Sequence, residues 1–264
     1  MVWEPGFIRA KAVFAKLGLT VTPIQVDHLG VSIPNEKLDL VYTTPAHQFP
    51  LGMIMSLESR VGLLKWANEH KSFIIEDDYD SEYRYKGLPI PALAQIDQLQ
   101  HVIYFGSFSK SFIPSIRMSY MIIPKSLVIA FEKFNEQQKS TVSRMDQLAV
   151  ADFMKEGHFE RHLAKMRTTY RKRLQVLLES IETYLPKEFE IIGEHSGLHI
   201  VLKLPPYLTE QCAIHLAVER GVRIYPASIS FIKKPKTHMV VLGYGGLTIE
   251  EIKEGIQKLA EAWL

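Results

Sequence analysis

Short apolar runs alternate along this chain with stretches of helical spacing. Phe7 to Leu17 reads as an amphipathic helix stopped at Gly18, and Thr20 to Val26 as a short strand. Leu38 to Thr43 is a second strand, running into a Pro45 to Pro50 loop. Met53 to Glu69 is helical, with Ile54, Leu57, Val61 and Leu64 on one apolar face. Phe73-Ile74-Ile75 and Val102 to Phe105 are short buried strands, and Met118 to Ile123 is another, ended by Pro124. Strand and helix in repeated order predict a layered α/β unit with a mostly parallel sheet.

Beyond about Leu127 the pattern changes. Met145 to Lys155 is a helix broken at Gly157, and Phe159 to Tyr184 is a long, charged amphipathic helix. Phe189 to Ile192, His199 to Leu204, Val222 to Tyr225 and Val240 to Leu242 read as strands. Thr209 to Arg220 and Thr248 to Leu264 read as helices, the latter opened by a capping box of Thr248 and Glu251. This half predicts a smaller α/β domain. The division falls at 1–135 and 136–264, with the long connecting helix able to serve either side.

Composition narrows the class. The 264 residues are 47% hydrophobic and 23% charged, as in a water-soluble globular protein. With 31 basic and 29 acidic residues the net charge is +2, so no broad DNA-binding face is expected. The one cysteine, Cys212, excludes an internal disulfide framework and is expected to be a small buried helix residue in a reducing compartment. No signal peptide and no apolar stretch of membrane-spanning length is read, so the expectation is a cytoplasmic protein without membrane contact.

The candidate chemistry gathers at predicted strand ends. Lys110 lies in Gly106-Ser107-Phe108-Ser109-Lys110, directly after an apolar run, and Arg117 follows seven residues later. Such a lysine forms imines once burial or nearby positive charge lowers its pKa. Taken alone, it is equally a surface lysine. Arg117 supplies a two-pronged donor suited to phosphate, and Ser107 and Ser109 supply hydroxyls. Asp77 follows another apolar run, with Glu76, Asp78 and Asp80 as competitors, and Tyr79 stands two residues on. A buried carboxylate there would keep a pyridine nitrogen protonated, and Tyr79 would donate to the ring oxygen. His47 or Gln48, in the proline-bounded loop, would reach the same side of a ring, or the loop is simply a rigid turn. Ligands of open α/β sheets bind at the carboxyl ends of strands. The set points to pyridoxal 5'-phosphate; no metal is expected.

In order along the chain, Thr44-Pro45-x-His47-Gln48-x-Pro50-x-Gly52, Glu76-Asp77-Asp78-Tyr79-Asp80-Ser81-Glu82, Gly106-Ser107-Phe108-Ser109-Lys110 and Pro114 to Arg117 form an ordered set. Together they resemble the aminotransferase-like domain of the MocR/GabR group of GntR-type bacterial regulators, within the fold type I pyridoxal-phosphate proteins. Met145 to Arg173 and Gly243-Tyr244-Gly245-Gly246-Leu247-Thr248 are also similar to that group. The resemblance implies Lys110 as the Schiff-base lysine, Asp77 as the pyridine-nitrogen partner and Tyr79 as the ring-oxygen donor. It implies Ser107 and Arg117 as phosphate ligands. The implied function is sensing of an amine, an amino acid or the cofactor itself, by a homodimer that meets DNA through a separate N-terminal winged helix. This chain alone is expected to bind no nucleic acid.

The resemblance also implies segments not read here: the winged helix, its linker, the opening strand of the large sheet, a glycine-containing phosphate loop and a ring-stacking aromatic. The chain therefore reads as a fragment with a truncated large domain. Where the group grips a carboxylate with arginine, this chain reads Tyr225-Pro226-Ala227-Ser228-Ile229-Ser230-Phe231, with Lys233 and Lys234 as a nearby solvated turn. That departure speaks against robust transaminase activity. The alternatives are an aminotransferase acting on an amino donor and a 2-oxo acid, and an incomplete domain with little cofactor affinity.

Overall fold

A computed structural model describes residues 2–26, 32–88, 90–98, 100–138, 140–232 and 238–264. Lys233 and Lys234 lie outside the described residues. The first half contains β1 (Val2–Glu4), α1 (Ile8–Lys16), β2 (Pro23–Gln25), β3 (Leu40–Thr43) and α2 (Leu57–His70). β4 (Phe73–Asp78), α3 (Leu93–Ile96), β5 (Val102–Ser107), α4 (Phe108–Ser111) and β6 (Ser119–Ile122) follow. Then come α5 (Val128–Glu136), α6 (Arg144–Lys155) and α7 (His158–Tyr184). The chain closes with β7 (Glu190–Ile192), β8 (His199–Lys203), α8 (Glu210–Glu219), β9 (Tyr225–Pro226), β10 (Met239–Gly243) and α9 (Ile249–Trp263).

Two sheets result. The first is six-stranded in the order β2-β1-β3-β4-β5-β6, parallel throughout except for β6, which runs against β5. Its apolar core joins Val41, Leu63, Ala67, Ile74, Leu93 and Val102. The second is four-stranded, antiparallel, in the order β7-β8-β10-β9. Ile200, Leu202 and Val240 from this sheet pack against Ile181 of α7 and Ile256, Leu259 and Trp263 of α9. The capping box is formed, with Thr248 Oγ1 accepting from the Glu251 amide at 3.1 Å and Glu251 accepting from the Thr248 amide at 2.7 Å. The long helix serves both halves: Leu174, Leu177 and Ile181 join the second core, while Phe159 at its start meets Phe108 edge-on at 5.9 Å.

Several expectations are corrected. α2 begins at Leu57, where Ser56 accepts from the Ser59 amide, and its buried face is Arg60, Leu63, Leu64, Trp66 and Ala67. Leu57 and Val61, expected on the apolar face, are half exposed. The predicted Val222 to Tyr225 strand is replaced by a two-residue strand, Tyr225–Pro226, paired with Val241 and Val240 of β10. Val2–Glu4, not assigned, is a strand inside the first sheet. Cys212 is exposed in the first turn of α8 rather than buried.

The halves are laced together at Gly197. Its amide donates to the Tyr83 carbonyl at 2.8 Å, and its carbonyl accepts from the Tyr85 and Tyr244 hydroxyls at 2.8 and 2.6 Å. It adopts φ +79°, and a Cβ there would sit 1.9 Å from His47 Cε1, so both conformation and space require glycine.

Candidate active site

β3, β4 and β5 are parallel and in register, so their carboxyl ends lie side by side. Thr43 pairs with Glu76, and Asp78 with Gly106. The chain that leaves these ends is therefore drawn to one edge of the sheet. A cavity of about 430 Å³ opens there, between the two sheets. Tyr42, Thr44, Asp77, Tyr79, Asp80 and Lys110 line it from the first half. Leu198, His199, Tyr225, Pro226, Ile229 and Val241 line it from the second, and Phe7 and Phe49 complete the apolar wall.

Strand alternation decides among the acids of β4. Glu76 and Asp78 are both buried, and neither lines this cavity. Glu76 accepts from the Leu93 and Ala94 amides at 2.9 Å each, capping α3, and lies 3.7 Å from Arg60. Asp78 accepts from the Tyr104 and Ser81 hydroxyls, both at 2.7 Å. Asp77, between them, faces the cavity and accepts a short hydrogen bond from the Tyr42 hydroxyl. Burial raises the Asp77 pKa, the Tyr42 bond opposes this, and Asp78 and Asp80 add repulsion. Burial also raises the Tyr42 pKa, with Asp77 as the next cause, so the phenol keeps its proton and remains the donor.

Asp80 is the second carboxylate on the wall, and it is committed elsewhere: His47 Nδ1 lies 2.9 Å from its Oδ2. The Tyr79 hydroxyl donates to the His47 carbonyl at 2.9 Å and lies 3.1 Å from His47 Nδ1. Burial, then Asp80, holds the Tyr79 pKa well above its ordinary value. His199 rests on His47 at 4.9 Å between ring centroids, with its Nε2 2.9 Å from the Pro50 carbonyl. Burial, then the neighbouring His47, pushes the His199 pKa down to about 4, so this ring is neutral at pH 7.

Lys110 is held by its turn. Ser107 ends β5 and caps α4, its Oγ accepting from the Ser109 amide at 3.2 Å. The Phe108 amide closes the turn onto the Met118 carbonyl at 3.0 Å, and the Tyr83 hydroxyl donates to the Lys110 carbonyl at 3.1 Å. The backbone is thus fixed from both sides, while the lysine side chain is exposed and lines the cavity.

The structure brings Asp77, Tyr79 and Lys110 together on one cavity and leaves the other expected residues off its lining. Ser107 caps the turn that carries Lys110, whereas Arg117 ends a separate 3-10 turn, Pro114–Ile116, seven residues on. Arg117 is exposed, with a left-handed backbone at φ 48°. His47 and Gln48, read as reaching a ring oxygen, do not line the cavity. Gln48 is 2% exposed, and its amide is spent on the Pro5 and Phe49 carbonyls at 2.5 and 2.6 Å and on the Leu51 amide at 3.1 Å. His47 is 1% exposed, turned to Asp80, and supports Tyr79 from behind. Tyr42, Phe49 and His199 also line the cavity without being singled out by the sequence, though Tyr42 carries a signal, a hydroxyl near the end of an apolar strand; Thr44 and Tyr225 come from segments already noted.

The residues fit pyridoxal phosphate at its ring end: a buried carboxylate, a phenol and a lysine around a largely apolar space.

Comparison with known proteins places this geometry. The sequence profile of the family described as aminotransferase class I and II matches residues 25–259. An uncharacterized HTH-type transcriptional regulator, YhdI of Bacillus subtilis (strain 168), is 48% identical over 98% of this chain and 56% of its own length. The probable rhizopine catabolism regulatory protein MocR of Rhizobium meliloti is 34% identical over 99% of this chain and 54% of its own. The chain thus spans little more than half the length of these regulators. Among solved structures, the multiple substrate aminotransferase of Thermococcus profundus superposes with a TM-score of 0.90 at 27% identity, covering 99% of this chain and 68% of that one.

Proposed function

Because the chain belongs to the aminotransferase class I and II family, we propose that it is the pyridoxal-phosphate-binding, effector-sensing part of a MocR-type transcriptional regulator. The observation that carries this reading is the convergence of Asp77, Tyr79 and Lys110 on one cavity. The similarity to YhdI and MocR supports the regulatory half of it.

Lys110 would hold the cofactor's aldehyde carbon and release it when an amine effector competes. Asp77, oriented by the Tyr42 hydroxyl, would hold the proton of the ring nitrogen. Tyr79, braced by His47 and Asp80, would stand at the ring oxygen. Ser107, at the start of the Lys110 turn, and Arg117, after the following 3-10 turn, would receive the phosphate. The cofactor supplies an electron-withdrawing ring; every positioning contact is the protein's.

Supporting sensing over turnover, Tyr225, Pro226 and Ile229 form the wall where the family's carboxylate clamp is expected. Lys110 is the one lysine or arginine on that cavity among the described residues. Residues 1–264 alone, with a net charge of only +2, are expected to show no sequence-specific DNA binding. We further place the chain in a homodimer in the cytoplasm; no helix among the described residues is long and apolar enough to cross a membrane. Sedimentation of the purified chain measures the first of these.

The primary test is optical. Pyridoxal phosphate added to the chain should give a visible absorbance band distinct from that of the free cofactor, and Lys110→Ala should lack it. An identical band in the variant would sink the assignment. Steady turnover of amino donors with a 2-oxo acid would instead favour the aminotransferase reading, which the same three residues also serve.

A further inference from the structure

A second cavity, also of about 430 Å³, shares no lining residue with the first. Its walls are the Ser81–Tyr85 segment after β4, one face of α7 and the turn before β8. These walls are pinned together: Arg84 bridges Ser196, and the Tyr85 amide donates to the His195 carbonyl at 3.0 Å.

The lining is strongly cationic. Arg84, Arg167 and Arg171 face it together with Arg60 of α2. Arg60 is neutralised, 3.7 Å from Glu76 and donating to the Met55, Pro91 and Pro45 carbonyls. The other three form no ion pair with a described residue. Arg84 and Arg167 each spend Nε on a carbonyl, at 3.0 and 2.9 Å, which leaves their forked Nη groups available. Arg167 and Arg171 are four residues apart on α7 and so share a face.

Ion pairing leaves Arg84, Arg167 and Arg171 without a described acidic partner, and three further features bear on the site. Burial lowers the Arg60 pKa, Glu76 and Asp78 oppose this, and Arg84 adds a smaller lowering, as a nearby guanidinium does. Glu82, the acid on this lining, is raised to about 7 by burial and bonds toward Ser111, so it offsets the guanidiniums weakly. Ser196 is 3% exposed, and its Oγ has no hydrogen-bond partner. A buried hydroxyl without a partner is rare and calls for one.

We propose that this cavity binds a small oxyanion, a phosphate ester or a dicarboxylate, gripped by Arg84, Arg167 and Arg171 with the Ser196 hydroxyl as a further donor. Forked guanidinium groups match the paired oxygens of either class. The site is separate from the Lys110 cavity and stands whether or not the cofactor reading does.

Calorimetric titration of the whole chain at low salt, without pyridoxal phosphate, tests it with inorganic phosphate in one arm and succinate in the other. Saturable binding is expected in at least one arm, weakened at least tenfold by Arg171→Gln and by Arg84→Gln, and severalfold by Ser196→Ala. Arg171 is exposed, so its variant folds whatever Arg84→Gln does, which circular dichroism checks. Binding to phosphate alone assigns a phosphate ester, and to succinate alone a carboxylate. Silence in both arms overturns the proposal. So does binding that survives Arg171→Gln but is lost in Arg117→Gln, which would place the anion at the cofactor's phosphate end.

Discussion

The six-stranded sheet reaches the Lys110 cavity with its strand ends, whereas the four-stranded sheet reaches it with side chains of three adjacent strands, His199, Val241 and Tyr225. The difference follows from strand direction. Parallel strands all finish at one edge, so residues as distant in sequence as Thr44, Asp77 and Lys110 emerge together there. Antiparallel strands alternate direction and gather no such edge; what they offer is a smooth apolar surface. Charge and reactivity therefore come from the first sheet, and shape from the second.

That division can be broken experimentally. Lys110→Ala should abolish the visible cofactor band while leaving stability within about 0.5 kcal/mol, because the side chain is exposed. Urea denaturation beside the absorbance titration checks both. Leu202→Ala should do the reverse: it costs about 2–5 kcal/mol in the second core, yet the folded fraction should keep its band. Loss of the band in folded Leu202→Ala protein would show that the sheets do not divide the work in this way. Asp77→Asn should weaken cofactor affinity by about tenfold to a hundredfold, the worth of one charge-assisted hydrogen bond. Equal affinity in that variant would remove Asp77 from the ring.

Two smaller effects sharpen the comparison. Glu82 has its pKa raised from 4.5 to about 7, so the folded state holds its proton more tightly than the unfolded one. Its contribution is fully present below pH 4.5 and is lost as pH rises toward 7. Glu82→Gln should remove that decline and be the more stable form at pH 8, as read from melting temperature against pH. Smallest, Thr248→Ala should cost about 1 kcal/mol by removing the α9 cap, without touching the band.

Much of this plan was legible in the sequence because parallel strands buried on both faces leave apolar runs, and Phe73-Ile74-Ile75 and Val102 to Phe105 are such runs. The chemistry at their ends was legible for the same reason. What failed did so where local pattern carries no three-dimensional information. Val2–Glu4 is too short to show a period. The face of α2 was misjudged because Arg60, a charged residue, is among its most buried side chains, held by Glu76 and three carbonyls that lie far along the chain or outside the helix. Gln48 looked like a ligand because its type suits one. Its partners are backbone groups in the same loop and at Pro5, which no spacing rule reveals.

Gly197 carries one further consequence. Its peptide is bonded to Tyr83, Tyr85 and Tyr244, and its bare Cα is packed against His47, which braces Tyr79 and pairs with Asp80. Tyr83 in turn holds the Lys110 carbonyl. Any displacement of the second sheet would be felt at the same peptide that buttresses the Tyr79 support and the lysine turn. One residue thus ties both sheets to the lysine turn. A single methyl group added there would force that tie apart.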